Sequence, residues 1–329
     1  MKKKEIILTV AIPTYNRAKN LDFALKNLLA QKDDRIEILI SDNCSTDTTE
    51  EVVARYKKHN PEIMYIKNEE NLGAALNYVE CYTHARGKFI YLLADDDVLL
   101  SGAIVHILNF LEKNNDISLL YLNHVFFRDV FEGIEKCTKP YLDIDDNIIT
   151  KDKTLFMNLA KMRITFTPSL IISKEKYLMV DNPEQYKETR FLQTCVALMC
   201  TKEDESKMGV LKFPCVAANL PSNNTAYNGI RIFGINAKNV LCGIGAKAGY
   251  KKSEMDKIYK NYVLAADVKA IANAKISGSK TLKKDFKECV WPAVKDYFGI
   301  RIILKICMMI PTFIWRPIKN VFSKSKYGR

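Results

Sequence analysis

Three carboxylates stand side by side at Asp95, Asp96 and Asp97, directly after the apolar run "KFIYLLA" at 88–94. Neighbouring like charges repel, by roughly 1 kcal/mol or more per close pair at a partly screened site. A buried strand that ends in three of them calls for a cation nearby. Three other segments carry short polar side chains and turn formers: "PTYNR" at 13–17, "SDNCSTD" at 41–47 and "NEENLGAALN" at 68–77. Such groups can hydrogen-bond a base, a ribose and phosphates. Each alone has a plainer reading. "PTYN" is a common turn. "SDNCSTD" suits a helix cap. Gly73 suits a tight turn at positive φ. The acids suit the positive end of a following helix. Four such segments on one rim are a stronger signal than any one.

The elements that would place them on one rim are readable from periodicity. Short apolar runs predict strands at 6–12, 36–41, 63–68, 88–94 and 117–123. Helical spacing predicts helices at 21–31, 47–59, 73–85 and 102–114, with Asp47 and Glu50 placed as a capping box for the second. Strands alternating with helices predict a mainly parallel, Rossmann-like α/β sheet covered on both faces. In such sheets ligands bind beyond the carboxyl ends of the strands. All four polar segments follow a predicted strand.

Composition allows this and excludes disorder of the whole chain: 48% of the 329 residues are hydrophobic and 27% charged. The nine cysteines are scattered, none in a Cys-x-x-Cys pair, and the start carries no apolar leader core, so a reduced, cytoplasmic chain is expected. The net charge of +12 is uneven: from Gly245 onward there are 19 Lys and Arg against 6 Asp and Glu, a net of +13. This asymmetry predicts two regions with different tasks.

Taken together, "TVAIPTYNRAKNLDFALKNLLAQ", "EILISDNCSTDTTEEVV" and "NEENLGAALNYVECYTHARGKFIYLLADDDVLL" resemble the family-2 nucleotide-sugar glycosyltransferases of GT-A fold. The likeness is to the bacterial O-antigen and capsule branch, abequosyltransferases included, over about 6–115. The resemblance implies that Pro13, Thr14, Tyr15 and Asn16 wall the base pocket. Asp42 would accept a hydrogen bond from the base imide, with Asn43 beside it. Asn71, Gly73 and Asn77 would line the ribose and diphosphate side. The acidic run would hold Mg2+ or Mn2+ on the donor diphosphate, since hard divalent ions take one or two carboxylates plus phosphate oxygens. Many members read Asp-x-Asp-Asp, and here Ala94 stands in the first place. That leaves the metal to Asp96 or Asp97, with Asp95 facing the sugar or ribose.

Family members invert at the anomeric carbon, which implies one general base for the acceptor hydroxyl, usually in a Glu-Asp pair opening a helix. No such pair opens a helix here. The region 180–200 offers Glu188 in that place, with Asp181 and Glu184 as alternatives and a solvated helix start as the plain reading. His124, after the fifth strand, could approach the acceptor. Arg190 and Arg231 could face the diphosphate, although solvation suits each as well.

From about 237 the pattern is helical and basic. The run "ICMMIPTFIW" at 306–315 is 10 residues long, and a bilayer span needs about 20. Trp315 followed by Arg316, Lys319, Lys324, Lys326 and Arg329 resembles an interfacial anchor. The tail lacks the aromatic interleaving that nucleic-acid binding would favour. The expected organisation is a GT-A domain over 1–228 and a helical region over 229–329, with a membrane-associating tail at about 297–329. The expected activity is metal-dependent, inverting transfer from a nucleotide-sugar to a glycan or lipid-linked acceptor, on the cytoplasmic face of the cell membrane. The alternatives are a non-catalytic nucleotide-sugar-binding scaffold and a sugar-phosphate nucleotidyltransferase. The latter would need a Gly-rich loop after the first strand, where "PTYNRAKN" has no glycine.

Overall fold

A computed structural model describes residues 5–220 and 232–315. The chain divides into two units, one of residues 1–222 with 247–250, the other of 223–246 with 251–329. Arg231 and the tail cations from Arg316 onward lie outside the described residues.

Among the described residues, the first unit is built on a nine-stranded sheet. Its strands are β1 (Leu8–Thr14), β2 (Ile36–Asp42), β3 (Met64–Lys67), β4 (Phe89–Leu92), β5 (Val98–Leu99), β6 (Ile117–Phe127), β7 (Ile148–Thr150), β8 (Leu170–Ser173) and β9 (Lys207–Asn219). The order is β3-β2-β1-β4-β8-β6-β9-β5, with β7 also on β9. β3, β2, β1 and β4 are mutually parallel. β8 runs against both β4 and β6, and β9 runs with β6, so six of the nine strands share one direction. The parallel half arises from continuous apolar runs buried on both faces, as helix-covered strands require. Leu8, Val10, Ile12, Ile38 and Ile40 join one core with Leu21, Leu25 and Leu28, which recur along one face of α1 (Ala18–Leu29).

α2 (Thr49–Lys57), α3 (Ala74–His84) and α4 (Ala103–Lys113) follow β2, β3 and β5. Close packing shows at Gly87, where a Cβ would stand 2.6 Å from the Thr9 backbone nitrogen. The capping box expected in α2 does not form. The helix begins at Thr49, so Glu50 sits in its first turn and pairs instead with Lys67 Nζ at 2.7 Å. Further helices are α5 (Lys153–Ala160), α6 (Lys174–Leu178) and α7 (Leu192–Met199). Residues 247–250 return to this unit through the Tyr250 and Thr201 hydroxyls, 2.8 Å apart.

The second unit holds α8 (Lys252–Ile276), 25 residues long, and α9 (Phe298–Met309). α8 buries Met255, Ile258, Tyr259, Val263 and Ile271. Lys275 Nζ donates to the Met308 and Ile310 carbonyls at 2.5 and 2.6 Å, which supplies a cation and donors to the C-terminal end of α9. No helix among the described residues is long and apolar enough to cross a membrane. All nine cysteines are free thiols.

Candidate active site

The carboxyl ends of β1, β2, β3 and β4 bring the four polar segments to one rim. The 13–17 and 42–47 loops are tied largely through Asn16. Asn16 sits at φ 52°, a left-handed conformation that asparagine tolerates. Its Oδ1 accepts from the Thr46 and Asp47 N–H groups at 2.8 and 3.3 Å, while its own N–H donates to Ser45 Oγ at 2.9 Å. Asp47 accepts from Ala18 N–H and Thr49 N–H, both at 3.0 Å, so one carboxylate caps the first turns of α1 and α2 together. Desolvation opposes its charge, but the Thr49 hydroxyl and the two helix N–H groups outweigh it and hold Asp47 below the usual carboxylate range.

A second network joins the ends of β2 and β3 to the start of α3. Asn43 donates to Asn71 Oδ1 at 2.7 Å and accepts from Leu72 N–H and the Asn68 amide at 2.9 and 3.1 Å. Asn77 accepts from Ser41 Oγ at 2.7 Å and donates to the Ser41 carbonyl at 3.0 Å. Gly73, at φ 80°, turns the chain into α3 where a side chain would be strained. Asp42 is fully buried; it accepts from Ser45 N–H at 2.8 Å and from the Tyr65 hydroxyl at 2.7 Å. Asp42, Asn43 and Asn77 thus bind the rim together from beneath. Tyr15, 42% exposed, and the partly exposed Pro13 and exposed Asn16 form its open lip. A groove of about 400 Å³ runs beside β3, lined by Lys67, Asn68, Glu69, Glu70, Glu80 and His84 among others, and none of the three acids lines it.

The three acids have three different environments. Asp95 is buried and accepts from Thr14 Oγ1 at 3.0 Å and from Arg17 Nη1 at 2.6 Å. Burial raises its pKa, Arg17 opposes the rise and the Asp96 charge adds to it. Asp96 keeps 35% of its side chain exposed and lies 3.2 Å from the same Arg17 nitrogen. Asp97 is 5% exposed and accepts from the Asn219 N–H at 2.8 Å, bracing the run against the end of β9. Burial pushes its pKa well above the ordinary value, and Asp96 adds to the push. The cation that the acids call for is therefore Arg17, with half of its side chain exposed. The sequence segment 13–17 includes Arg17, but the resemblance gave it no role. The signal was present, because Arg17 is the only cation in the segments 13–17, 41–47, 68–77 and 95–97.

The candidate bases lie on another segment. Asp181, Glu184 and Glu188 are exposed on or beside a 3₁₀ turn at Pro183–Thr189. That turn leads into α7, whose Gln193 and Thr194 side chains donate to the Thr165 and Ile164 carbonyls at 3.3 and 3.2 Å. Residues 164–169 lead into β8 at the carboxyl end of β4, where the Tyr91 hydroxyl donates to the Pro168 carbonyl at 3.0 Å. The turn with Glu188 is thus connected to the carboxyl end of β4 through α7 and residues 164–169. No hydrogen bond or ion pair among the described residues links it to the acids. His124 does not serve an acceptor. It is fully buried, stacked on Tyr141 at 5.0 Å and flanked by Phe126 and Phe166, and burial lowers its pKa to about 4.

Metal fit can be judged from the donors. Asp96 offers an accessible carboxylate beside Asp95, and Arg17 already stands there as a cation. Oxygen ligands of this kind suit Mg2+ or Mn2+. No cluster of three or more ligating side chains exists among the described residues, so further ligands would have to come from a bound diphosphate and water.

Comparison with known proteins agrees with this architecture. The model of the family described as "Glycosyl transferase family 2" matches residues 9–166. The chain is 28% identical over 196 residues to the abequosyltransferase RfbV of Salmonella typhimurium, covering 56% of this chain and 58% of that protein. It is 31% identical over 172 residues to the Campylobacter jejuni GalNAc(5)-diNAcBac-PP-undecaprenol beta-1,3-glucosyltransferase, covering 51% and 53%. The match thus spans a little over half the length of each. Among solved structures, S. aureus TarS 1-349 in complex with UDP-GlcNAc superposes with TM-score 0.62 at 14% identity, over 98% of this chain and 93% of that one. The Pyrobaculum calidifontis mannosyltransferase PcManGT, in complex with GDP-Man and Mn2+, gives 0.51 at 17%, over 98% and 88%. The fold is of GT-A type, and residues 9–166 form a glycosyl transferase family 2 domain.

Proposed function

We propose that this protein is an inverting, metal-dependent glycosyltransferase that moves a sugar from a nucleoside-diphosphate sugar to a lipid-linked glycan in cell-surface polysaccharide synthesis. The acceptor would be met at the cytoplasmic face of the membrane. The observation that carries this reading is the graded acid run at the carboxyl end of β4. One acid is partly exposed, one is shared with Arg17 and Thr14, and one is braced on β9. The undecaprenol-linked substrate in the name of the Campylobacter relative supports the lipid-linked acceptor, and the nucleotide-sugar complexes of the structural neighbours support the donor. The family match favours glycosyl transfer over nucleotidyl transfer and over a site without chemistry.

Tyr15 and Pro13 offer a face for the base, over loops that Asn16, Asp42 and Asn43 hold rigid. Asn71 and Gly73 shape the ribose side. Asp96, with Asp95 beside it, would hold Mg2+ or Mn2+, which supplies Lewis-acid stabilisation of the charge on the leaving diphosphate. Arg17 adds a second positive charge facing the same place. Glu188, exposed on the turn before α7, takes the proton of the acceptor hydroxyl. A base acting from the face opposite the leaving group would give inversion.

Calorimetric titration of UDP, dTDP, CDP and GDP, with Mn2+ or with EDTA, tests the donor site in wild type and Asp96→Asn. Metal-dependent binding of one nucleotide, weakened at least ~10-fold in the variant, is expected for loss of one metal ligand. A folded protein that binds none of the four under either condition would end the reading.

A further inference from the structure

The second unit presents a surface that its own residues leave uncovered. Sixteen large apolar side chains are exposed across the described residues, and seven of them fall between Phe298 and Ile314. Phe298, Ile302, Ile306 and Met309 recur along one side of α9, within about 80° of one another at ~100° per residue. The opposite side of α9 is also apolar, but it is satisfied: Leu304 and Cys307 are buried there. Beyond Pro311 the exposed patch continues through Phe313 and Ile314. The helical spacing sets Arg301 and Lys305 along one edge of the stripe.

We propose that this face of α9 docks on the surface of an anionic lipid bilayer. Its use in transfer rests on the proposed lipid-linked acceptor, whereas the docking does not. Charge selects the occupant. The region from Gly245 to the end carries a net +13, so its surface needs negative charge from outside. A second copy docked face to face would set Arg301 and Lys305 against their own counterparts, and like charges across an interface cost affinity. The chain's last residues, 316–329, hold five cations and no acid, so they bring no counter-charge either. Phosphatidylglycerol-type headgroups supply it, while the acyl boundary takes the apolar stripe and the long Arg and Lys stems reach back to phosphate depth. At 12 residues, α9 is about 18 Å long, which suits lying in the interface rather than crossing it. Trp315, expected from the sequence as the interfacial anchor, is 3% exposed. Phe313 and Ile314 take the outward positions and Trp315 the inward one, so the anchor lies on the helix before it.

The full chain should sediment with vesicles of phosphatidylcholine containing phosphatidylglycerol, weakly or not at all with phosphatidylcholine alone, and less at high salt. The double variant Ile302→Asp, Ile306→Asp should lose at least ~10-fold in vesicle partition, because two apolar groups leave the boundary and two charges replace them. The pair Arg301→Glu, Lys305→Glu should lose binding to the anionic vesicles specifically. Circular-dichroism melts check that the variants remain folded, with at most a modest loss expected because Ile302 and Ile306 are about half exposed. Nucleotide titration of the same samples reads the transferase site separately, so failure of one leaves the other standing. The inference is overturned if wild type does not sediment with anionic vesicles, or if the Asp variants sediment as wild type does. It is equally overturned if those variants turn a dimer into a monomer while lipid binding persists, because the face would then belong to a second copy.

Discussion

At the rim of the first unit, buried polar groups meet partners from neighbouring loops: Asn43 with Asn71, Asn77 with Ser41, Asp42 with Tyr65, Asp97 with Asn219. In the second unit, Asp267 is 2% exposed in the middle of α8, and its Oδ2 has no hydrogen-bond partner among the described residues. The indole nitrogen of buried Trp315 has none either. The second unit also carries the exposed stripe and all of the excess positive charge. A rim balanced from within can hold its shape before any ligand arrives, as a site preorganised for transfer requires. A unit with a bare apolar face and unmatched cations is completed by something outside it. The two units can be perturbed separately, which gives ways to break the contrast.

The largest expected effect is on the second unit. Burial raises the pKa of Asp267 to about 7. The unfolded chain would release that proton near pH 4 while the folded chain keeps it. The stabilisation is therefore full below about pH 4 and is lost as pH rises through 7, amounting to about 4 kcal/mol across the window. Both tryptophans, Trp291 and Trp315, lie in this unit, so their fluorescence follows it selectively. Urea melts read by tryptophan emission should show stability falling between pH 4.5 and 7.5 in wild type, and Asp267→Asn should flatten the slope. An unchanged slope in the variant would mean that Asp267 is not the titrating group.

In the first unit, Asp47→Ala removes the acceptor shared by α1 and α2. Each lost cap costs about 1 kcal/mol, so about 2 kcal/mol is expected, and Asp47→Asn should lose roughly half as much. Chemical melts followed by far-ultraviolet circular dichroism would measure it. A loss under about 0.5 kcal/mol for the alanine variant, the level of an ordinary surface change, would show that the rim loops are not held from this carboxylate.

The sequence carried the parallel half of the sheet plainly, because strands buried on both faces must be unbroken apolar runs. It did not carry β5, β7, β8 and β9. β5 is two residues long, and β9 contains Gly209 and Pro214 with shifted register against β6. The polar segments were legible as a group, since turn formers at strand ends betray a rim. Their division of labour was not. Asp97 is fixed by the backbone of Asn219, 122 residues away, and no local pattern announces that bond. His124 looked available at a strand end, but its aromatic cover comes from Tyr141 and Phe166 on later segments. Arg17 needed only a count of charges along the rim.

The smallest expected effect is also the one that bears most directly on how the rim works. Arg17 Nη1 stands 2.6 Å from Asp95 and 3.2 Å from Asp96. A divalent ion on Asp96 would sit close to that guanidinium, and like charges so near raise each other's energy. Arg17 should therefore weaken metal binding to the empty site. A donor diphosphate adds negative charge that both cations can share, so metal and nucleotide should each favour the other's binding, and by linkage the factor is the same in both directions. Arg17→Gln removes the competitor and the second cation together. Mn2+ titrated alone should bind ~10-fold more tightly than to wild type, while nucleotide in saturating Mn2+ should bind ~10-fold more weakly, about 1.4 kcal/mol in opposite directions. Arg17→Lys should fall between, because an ammonium keeps the charge and loses the fork that reaches two carboxylates. If both affinities drop together, Arg17 only supports the loop, and the rim's internal balance has no part in selecting its ligand.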